Sequence, residues 1–292
     1  MKEKKILITG KNSYIGISVK NWLLKDEQHY CVDEVCLKDG TWHELDFSGY
    51  DVVFHVAGIA HSDTKNATEE IKTLYYQINA DLTIEVAKKA KLAGVKQFIF
   101  MSSMIVYGER AAFGKAQVIH QELAPDPTNF YGDSKLQAEQ GLIKLKSEEF
   151  KIAIVRPPMV YGKGSKGNYP RLSKLAKTLP IFPDIDNVRS MIHIDNLCEF
   201  IRFLIKHVDE GIFHPQNEQY VDTSDLVALI SQIHGKKIRL ISVFNPVLKI
   251  LSHQVGIINK VFGNFYYDKK LSVYKENYQI RNFKESIELT EK

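Results

Sequence analysis

Cysteine is scarce in this chain, and the three cysteines present form no pattern. Cys31, Cys36 and Cys198 are odd in number and lack the spacing of metal ligands. No basic and apolar leader precedes the first predicted strand, so we expect a reducing cytoplasm. No apolar run reaches the roughly 18 residues that a membrane span requires. The sequence therefore predicts neither a disulfide scaffold nor a transmembrane helix.

Signatures of metal sites and of repeats are missing as well. No two histidines stand four residues apart and the acidic residues are scattered, so no metal site is predicted. His55 ends a predicted strand and His61 follows a turn of small residues, with no carboxylate partner in the sequence nearby. Packing or a place at the edge of a cofactor is favoured for both histidines over general-base catalysis.

The composition is that of a globular protein with an uneven charge. The 292 residues are 44% hydrophobic and 25% charged, which suits one large domain or a domain with a smaller lobe. The net charge is +4, but residues 236–292 carry eleven lysines and arginines against five acids. These cations are dispersed, so a solvated face is favoured over binding to anionic lipid, nucleic acid or a diphosphate.

The stretch 243–265 is apolar but interrupted. Pro246, Lys249, His253 and Lys260 break its apolar run, which predicts an amphipathic helix rather than a membrane span. Packing within its own lobe is the favoured role for this helix. Contact with a membrane surface is the less favoured interpretation.

Short apolar runs alternate with helical periodicity through the first half of the chain. This alternation predicts an α/β fold: a Rossmann-like, doubly wound parallel sheet with a smaller C-terminal substrate lobe. The predicted strands are Lys5–Gly10, Val35–Leu37, Val52–His55, Gln97–Met101 and Ile152–Val155. The predicted helices are Tyr14–Lys25, Ile71–Leu92 and Ser134–Ser147.

The regular alternation of predicted strands and helices ends after residue 156. We predict a dinucleotide-binding domain over 1–156, with a segment around 190–222 packing back onto it. Residues 157–189 and 223–292 are predicted to form the substrate-binding lobe. Only a short stretch separates Leu37 from Asp51, which leaves little room for a full crossover helix after the second strand.

A glycine-marked turn follows the first strand in Thr9-Gly10-Lys-Asn-Ser13-Tyr14-Ile15-Gly16. Gly10 allows a sharp turn, the amides of the following helix suit a pyrophosphate, and Gly16 lets that helix approach the strand. Ser13 stands where the full fingerprint has a middle glycine. Residues 10 and 13–16 are therefore candidates for cofactor binding, and a buried structural turn is the alternative.

Tyr131 and Lys135 form the most informative pair in the chain. Four residues apart on a helix, they share one face, where an ammonium would favour the phenolate and bring the pKa of the tyrosine towards neutrality. Such a tyrosine passes a proton to or from a hydroxyl while a nicotinamide carries the hydride. Tyr266 and Lys270 have the same spacing, so only the context of Gly10 and of Ser103, at a predicted strand end, selects the first pair.

These motifs together resemble the extended short-chain dehydrogenases/reductases of the nucleotide-sugar epimerase/dehydratase type. The resemblance runs along most of the chain. Its landmarks are Thr9-Gly10…Gly16, His55-Val-Ala-Gly58, Asn79 in a helix, Ser-Ser103-Met-Ile-Val-Tyr-Gly, Tyr131-Gly-Asp-Ser-Lys135, Val155-Arg-Pro-Pro-Met-Val-Tyr-Gly162 and Arg189-Ser-Met-Ile-His-Ile-Asp195-Asn.

The resemblance implies roles for individual residues. Ser103 would bind the reacting sugar oxygen, Tyr131 would be the acid/base, and Lys135 would hold the nicotinamide ribose. The family pattern adds candidates at the cofactor and at the substrate. They are Ala57, Gly58, Asn79 and Pro158 for the cofactor, and Met104, Asn168 and Arg189, beside Ser103, for the substrate.

Two of the substrate candidates have plainer explanations. The Arg189 guanidinium suits the oxygens of a diphosphate, but it could instead pair with Asp184 or Asp186 at the surface. Asn168 could be a turn residue before Tyr169.

The residues after Ser103 limit the chemistry. Relatives that eliminate water from the sugar carry an Asp-Glu pair there, whereas this chain has Met104 and Ile105, which transfer no proton. Elimination of water is therefore not expected, which leaves reduction or epimerisation at a ring carbon. The compact lobe and the short second-strand region resemble deoxysugar reductases, so reduction of a UDP-4-keto-6-deoxy-N-acetylhexosamine in surface polysaccharide biosynthesis, such as that of a capsule, is favoured. A UDP-sugar 4-epimerase is the alternative, and a non-catalytic dinucleotide sensor is a third hypothesis.

The second strand end leaves the choice of cofactor open. An acid there accepts the ribose hydroxyls of NAD, whereas a cation favours the extra phosphate of NADP. This chain offers both, as Lys38 followed by Asp39. NADP(H) is favoured over NAD(H) because a synthetic reductase usually draws on NADPH. We expect a UDP-sugar substrate and no nucleic-acid partner, and leave a homodimer open.

Overall fold

The chain folds into two compact units. The structure, a computed structural model, describes residues 3–26, 28–60, 67–252 and 256–292. Unit 1 is formed by 1–108, 124–157 and 197–215, and unit 2 by 109–123, 158–196 and 216–292. Segment 109–123 thus lies in unit 2, whereas the sequence placed it in the first domain. The assignment of cofactor and substrate to separate domains stays a prediction.

Twelve strands and ten helices make up the described chain. The strands are β1 (Lys4–Thr9), β2 (Tyr30–Val35), β3 (Val52–His55), β4 (Gln97–Met101), β5 (Ala116–Ile119), β6 (Lys151–Val155), β7 (Met159–Tyr161), β8 (Ile181–Pro183), β9 (Met191–His193), β10 (Gly211–Phe213), β11 (Arg239–Ile241) and β12 (Asn264–Tyr267). The helices are α1 (Tyr14–Leu23), α2 (Glu69–Tyr76), α3 (Leu82–Leu92), α4 (Phe130–Ile143), α5 (Asn168–Thr178), α6 (Ile194–His207), α7 (Thr223–Ile233), α8 (Asn245–Leu251), α9 (Gly256–Phe262) and α10 (Phe283–Glu291).

Unit 1 is built on a six-stranded parallel sheet. Its strand order is β2-β1-β3-β4-β6-β10, and every pair is parallel. Three consecutive residues of β1, Ile6, Leu7 and Ile8, are fully buried. Successive strand residues point to opposite faces, so this sheet is covered on both sides. The predicted α/β, Rossmann-like fold class is confirmed.

The connection between β2 and β3 is as short as the sequence indicated. Residues 41–43 form one turn of 3₁₀ helix, and β3 pairs directly with β1. The order of strands therefore reverses at β1, where the loops after β1 and β3 meet at the carboxyl edge. The predicted second strand, 35–37, was wrong: β2 ends at Val35, and the apolar 30–32 supplies its buried half.

The predicted helix 71–92 is interrupted by a wider turn. Residues 77–81 form a π-helical turn between α2 and α3. Such turns insert one extra residue and are frequent at functional sites. Here the turn carries Asn79, whose side chain is fully buried.

Unit 2 is a smaller set of helices and paired short strands. Its three two-stranded sheets are the parallel pairs β5·β12, β7·β9 and β8·β11. Helices α5, α7 and α10 pack with them around an apolar core. The largest fully buried side chains of unit 2 include Tyr161, which lies in this core, and Tyr267.

The single helix predicted over 243–265 was wrong. The structure has α8, α9 and then β12 in this stretch. Ile258 and Phe262 of α9 are buried in the core of unit 2, as the favoured interpretation expected. Apart from Lys249, the exposed side chains of α8 are apolar, which that interpretation did not foresee.

Two other expectations concern membranes and thiols. Within the part of the chain that the structure describes, no helix has the length and apolar character needed to cross a membrane. Cys31, Cys36 and Cys198 are all free thiols, and Cys198 is buried.

A buried ion pair ties α4 to β6 in unit 1. The carboxylate of Glu139 accepts hydrogen bonds from Arg156 Nε at 3.1 and 3.2 Å and from Arg156 Nη2. It also accepts one from the hydroxyl of Ser102. Arg156 Nη1 donates to the Tyr107 hydroxyl at 2.6 Å, which shares a hydrogen bond with His214. Glu139 is 1% exposed and Arg156 is 4% exposed, so each charge depends on the other.

Replacing one member of this pair should destabilise the protein strongly. Arg156→Met leaves the Glu139 carboxylate buried without its counter-charge, a change that typically costs about 3 kcal/mol or more. Chemical denaturation of the purified variant measures the loss in free energy of unfolding. The double variant with Glu139→Gln should be less destabilised than Arg156→Met alone, because no charge is then left unpaired.

An exposed ion pair supplies the control. Lys72 and Glu69 are joined at 2.6 Å on the surface of α2, and Lys72→Met should change stability by no more than about 1 kcal/mol. Equal losses in Lys72→Met and Arg156→Met would contradict a structural role for the buried pair.

Candidate functional site

The loops after β1 and β3 touch at the carboxyl edge of the sheet. Gly10 has φ +97°, and a Cβ at this position would lie 2.8 Å from the backbone nitrogen of Ala57. No side chain fits there, so the two loops approach as closely as their backbones allow. The glycine expected to serve a pyrophosphate is therefore required by the fold as well.

Helix α1 begins immediately after this turn. Ser13 caps it, with its hydroxyl accepting a hydrogen bond from Gly16 N at 3.0 Å. A Cβ on Gly16 would lie 3.2 Å from Val56 Cγ1 and 3.3 Å from Ile8 Cγ2, so this glycine lets α1 approach β1 and the loop after β3. The N–H groups of Tyr14 and Ile15 lie in the first turn, where a helix has no internal acceptors and favours an anion.

Asn79 fastens the loop after β3 to α4. Its Oδ1 accepts a hydrogen bond from Ile59 N at 2.8 Å, and its Nδ2 donates to Ile59 O and to Ser134 Oγ. A Cβ on Gly58 would lie 2.9 Å from Asn79 Oδ1 and 3.1 Å from Lys135 Nζ. The predicted residues Gly58, Asn79 and Lys135 are therefore neighbours within unit 1.

His55 is a packed, neutral residue below this loop. Its ring nitrogens share hydrogen bonds with the hydroxyls of Thr9 at 2.8 Å and Thr83 at 3.0 Å. Burial lowers its pKa to about 3, with the charge of Lys135 adding to the effect. His55 holds strands and the π-helical turn together and has no free nitrogen for catalysis. His61 lies outside the described residues.

Ser103 interacts with the phenol of Tyr131. Tyr131 lies in the first turn of α4, which begins earlier than the sequence indicated because Asn129 Oδ1 caps Gly132 N at 2.9 Å. Ser103 begins the turn after β4, and its hydroxyl oxygen accepts a hydrogen bond from Ile105 N. The Ser103 hydroxyl favours the charged form of the Tyr131 phenol and so acts to lower its pKa.

Lys135 is buried one helical turn further along α4. Its ammonium donates to Met101 O at 3.0 Å and lies 4.6 Å from the centre of the Phe100 ring. Burial lowers the pKa of Lys135 to about 8, and the negative charge of Glu139 opposes that shift. The ammonium is thus held at the end of β4 by one carbonyl and one buried carboxylate.

The expected pKa of Tyr131 was wrong. The sequence predicted that Lys135 would bring it towards neutrality, but burial raises it to about 12 and outweighs the opposing effect of Ser103. The Lys135 ammonium is bonded to the Met101 carbonyl at the end of β4. At neutral pH the phenol therefore carries its proton.

Four of the predicted residues line one cavity of about 100 Å³ in unit 1. They are Ile15, Gly58, Tyr131 and Lys135. The remaining lining residues were not singled out from the sequence. These are Val56, Ile59, Ala60, Met101 and Ser102. Met104, predicted to contact substrate, is buried, and its backbone N donates to Pro157 O at 2.9 Å.

At the end of β2, lysine side chains are more available to a ligand than the carboxylate of Asp39. Lys38 and Asp39 are both exposed, but the Asp39 carboxylate accepts hydrogen bonds from Thr41 N and Thr41 Oγ1. These bonds, with a smaller contribution from Lys11, hold the pKa of Asp39 below its usual value. Lys11 follows Gly10 directly and its backbone N donates to Val35 O, so it lies beside the end of β2. Sequence reasoning missed Lys11.

The other predicted contacts lie in unit 2. Pro158 is buried, and Asn168 is the exposed first residue of α5. Arg189 donates through Nη1 to Gly263 O at 3.0 Å and through Nη2 to Glu109 at 2.7 Å. The ion pair considered for Arg189 therefore exists, but with Glu109 rather than Asp184 or Asp186.

The second tyrosine and lysine pair has a different structure. Tyr266 lies in β12, whereas Lys270 lies in the 3₁₀ turn that follows it. The two do not share a helix face, so equal spacing in sequence does not bring them together as on α4. Among the described residues, no cluster of three or more histidine, cysteine or acidic side chains could hold a metal ion.

Comparison with known proteins identifies the family. The profile of the NAD dependent epimerase/dehydratase family matches residues 6–221. The chain belongs to this family. UDP-glucose 4-epimerase of Vibrio cholerae is 32% identical over 246 residues, covering 77% of this chain and 74% of that protein.

Two further relatives are named for different activities, one as an epimerase and one as a reductase. The N-acetyl-alpha-D-glucosaminyl-diphospho-ditrans,octacis-undecaprenol 4-epimerase of Escherichia coli O157:H7 is 28% identical, covering 92% of this chain and 84% of that protein. GDP-6-deoxy-D-mannose reductase of Pseudomonas aeruginosa is 24% identical, covering 82% and 83%. The chain is an NAD(P)-dependent enzyme of the extended family that modifies nucleotide-linked sugars.

Solved structures of low sequence identity share the fold. RMD of Pseudomonas aeruginosa complexed with NADPH has a TM-score of 0.74 at 19% identity, covering 99% of this chain and 98% of that one. UDP-glucuronic acid 4-epimerase of Bacillus cereus in complex with NAD also has a TM-score of 0.74 at 19% identity, covering 98% and 96%. Both likenesses show that the chain shares the fold of these two proteins.

The Lys135 ammonium should lose its proton at an unusually low pH for a lysine. Burial places the pKa of Lys135 at about 8, so an NMR titration of lysine ε-carbon resonances should show one signal with its midpoint there. That signal should vanish in Lys135→Met. It should move to lower pH in Glu139→Gln, because the carboxylate that favours the ammonium is gone.

Lys270→Met is the matched control, since it removes an exposed lysine from the other pair. It should leave the signal near pH 8 in place. A titration in which Lys135→Met keeps that signal would contradict the burial and contacts described for Lys135.

Proposed function

We propose that this enzyme reduces the 4-keto group of a UDP-linked 6-deoxy-N-acetylhexosamine. The arrangement that carries the proposal is a pair of interacting hydroxyls, Tyr131 and Ser103, with the buried ammonium of Lys135 one helical turn from Tyr131 in the same cavity. Reduction of a ketone delivers a hydride to carbon and a proton to oxygen. A phenol whose pKa is about 12 holds the proton that this step consumes.

Each of the three groups has a distinct task. Ser103 binds the ketone oxygen and keeps it beside the phenol. Tyr131 donates its proton as negative charge develops on that oxygen, and the Lys135 ammonium stabilises the phenolate that remains. Met104 and Ile105 follow Ser103 and have no group that transfers a proton, which supports simple reduction rather than elimination of water.

The carboxyl edge of unit 1 suits a dinucleotide. The turn at Gly10 and the loop at Ala57 and Gly58 have small or no side chains, and the first turn of α1 offers backbone N–H groups that have no acceptor within the helix. The nicotinamide cofactor supplies the hydride when bound. Lys135 would hold its ribose, and Asn79 keeps the loop that faces Lys135 in place.

NADP(H) is the favoured cofactor. The Asp39 carboxylate is engaged by Thr41 within its own loop, whereas Lys38 is exposed and Lys11 lies beside the same strand end. Two cations there favour the extra phosphate of NADP. In unit 2, Arg189 and Asn168 are the residues we propose for the diphosphate of the substrate, with Arg189 held in place by Glu109.

A UDP-sugar 4-epimerase is the second candidate. Two of the relatives described above, at 32% and 28% identity, are named as 4-epimerases, whereas the reductase is 24% identical. An epimerase begins by oxidising the sugar, a step that needs Tyr131 as a base. The second half of an epimerase reaction reduces the ketone again with the same proton, so the protonation of Tyr131 is compatible with both reactions.

The fate of the cofactor separates the two reactions. With a UDP-4-keto-6-deoxy-N-acetylhexosamine, the purified enzyme should oxidise one NADPH for each sugar reduced, followed by the absorbance of the reduced nicotinamide. Lys38→Ala and Lys11→Ala should each weaken NADPH binding more than NADH binding. Interconversion of UDP-glucose and UDP-galactose without added NADPH would instead establish the epimerase.

Substitutions of Tyr131 and Lys135 on α4 should impair the enzyme in different ways. Tyr131→Phe removes the proton donor, so kcat should fall by about 10²- to 10⁴-fold while dinucleotide affinity changes little. Lys135→Met removes both the charge beside the phenol and a ribose contact, so kcat and dinucleotide affinity should fall together. Steady-state kinetics and calorimetric binding measure the two effects.

Tyr266→Phe is the matched control for the phenol. It changes the same group at the same spacing from a lysine, but on β12, and turnover should remain normal. Loss of activity in Tyr266→Phe together with a tolerated Tyr131→Phe would show that the proposed site is wrong.

A further inference from the structure

Helix α8 of unit 2 turns its apolar side outward. The exposed fractions are 72% for Val243, 49% for Phe244, 53% for Val247, 70% for Ile250 and 39% for Leu251. Val247 is spaced to share one face of α8 with Ile250 and Leu251, and Val243 and Phe244 lie in the turn just before the helix. A surface helix of a globular protein normally exposes its polar face to water instead.

The opposite side of α8 contacts the rest of unit 2. Leu248 packs against the core of unit 2, and Asn245 Nδ2 donates to Asp184 O at 2.7 Å. The helix is therefore anchored with its outer face apolar. Five grouped apolar side chains differ from the single exposed hydrophobics that any protein surface shows.

The chain around this face is basic. Residues 236–267 contain five lysines and arginines and no aspartate or glutamate. Lys237 and Arg239, at the start of β11, line an open groove of about 570 Å³ with Pro180, Ile181 and Ile238. Lys249 is on α8 itself and is exposed.

Several acidic residues of unit 2 lie near the first residue of α8. Asp184 is bonded through its carbonyl to Asn245, the first residue of α8, and Asp186 and Asp225 interact electrostatically with each other. Lys249, Ile250 and Leu251 are at the other end. The apolar face thus continues away from the acids and towards a cation.

We propose that the α8 face binds the surface of an anionic phospholipid bilayer. The apolar side chains enter the boundary between headgroups and acyl chains, and the cations of 236–249 lie against the headgroup phosphates. Apolar side chains beside lysine and arginine are the pattern of helices that lie in a membrane interface.

The size of the face favours this occupant over a second copy of the chain. A stable protein interface engages about 20–30 residues a side, and its core is depleted in lysine. An interfacial helix needs only a few inserted side chains, with cations around them. The proposal does not depend on which sugar is modified or in which direction hydride moves.

Co-sedimentation of the full chain with lipid vesicles tests the proposal. The protein should sediment with vesicles of phosphatidylglycerol and phosphatidylethanolamine and much less with vesicles of phosphatidylcholine. Val247→Ser with Ile250→Ser should reduce the bound fraction roughly tenfold or more. Lys237→Glu with Arg239→Glu should reduce binding to the anionic vesicles by at least a similar factor.

Matched changes in unit 1 serve as controls. Leu92→Ser removes a hydrophobic side chain that is even more exposed, at 89%, and Lys88→Glu with Lys144→Glu makes the same change in charge as the α8-side pair. Both should bind vesicles as the unmodified protein does. Thermal melting of every variant establishes that the fold is retained.

Three results would overturn the proposal. The first is that the unmodified protein fails to sediment with anionic vesicles. The second is that the α8 variants bind them as well as the controls do. The third is a dimer, detected by sedimentation equilibrium, that the Val247 and Ile250 substitutions dissociate while vesicles remain unbound, because a second copy would then cover the face.

Discussion

The buried carboxylate of Glu139 connects the elements on which the candidate site is built. It lies on α4, four residues after Lys135 and eight after Tyr131, and it binds Arg156 at the end of β6. It also accepts a hydrogen bond from the hydroxyl of Ser102, the neighbour of Ser103. The helix that carries the phenol and the ammonium is thereby fixed to the strand ends that carry the second hydroxyl.

Burial then sets the protonation of the site. The same exclusion of water raises the pKa of Tyr131 to about 12 and lowers that of Lys135 to about 8. Both shifts favour the neutral form, and each is opposed by one local partner, Ser103 for the phenol and Glu139 for the ammonium. The result is a protonated phenol beside a cation that Glu139 helps to keep charged, which suits the delivery of a proton to a reduced sugar.

Local signals predicted the parts of this fold that local physics determines. The sequence predicted the apolar β1, the glycine turn and the short connection after β2, because backbone geometry restricts the residues there. The family motifs placed Ser103, Tyr131 and Lys135 in one unit. The spacing of Glu139, four residues beyond Lys135, could have revealed it as a partner, but Arg156 comes from a different strand and gives no local signal.

The failures came from tertiary structure. Burial decides the pKa of Tyr131, and a sequence pattern does not report how deeply a phenol is buried. The helix predicted over 243–265 failed because Leu248 and Phe262 pack into the core from separate short helices. Apolar periodicity also could not tell which face of α8 is buried, since both sides of that helix carry apolar residues.

The most direct test of the claim that Glu139 sustains the site is the pH dependence of NADPH binding. Calorimetric titrations on both sides of pH 8 compare the unmodified enzyme with Glu139→Gln, after circular dichroism has established that the variant is folded. Lys135 carries its proton below about pH 8 and loses it above, so affinity should fall as pH rises through that value. In Glu139→Gln the fall should begin at lower pH. Affinity that is independent of pH, or the same profile in both proteins, would contradict this role of Glu139.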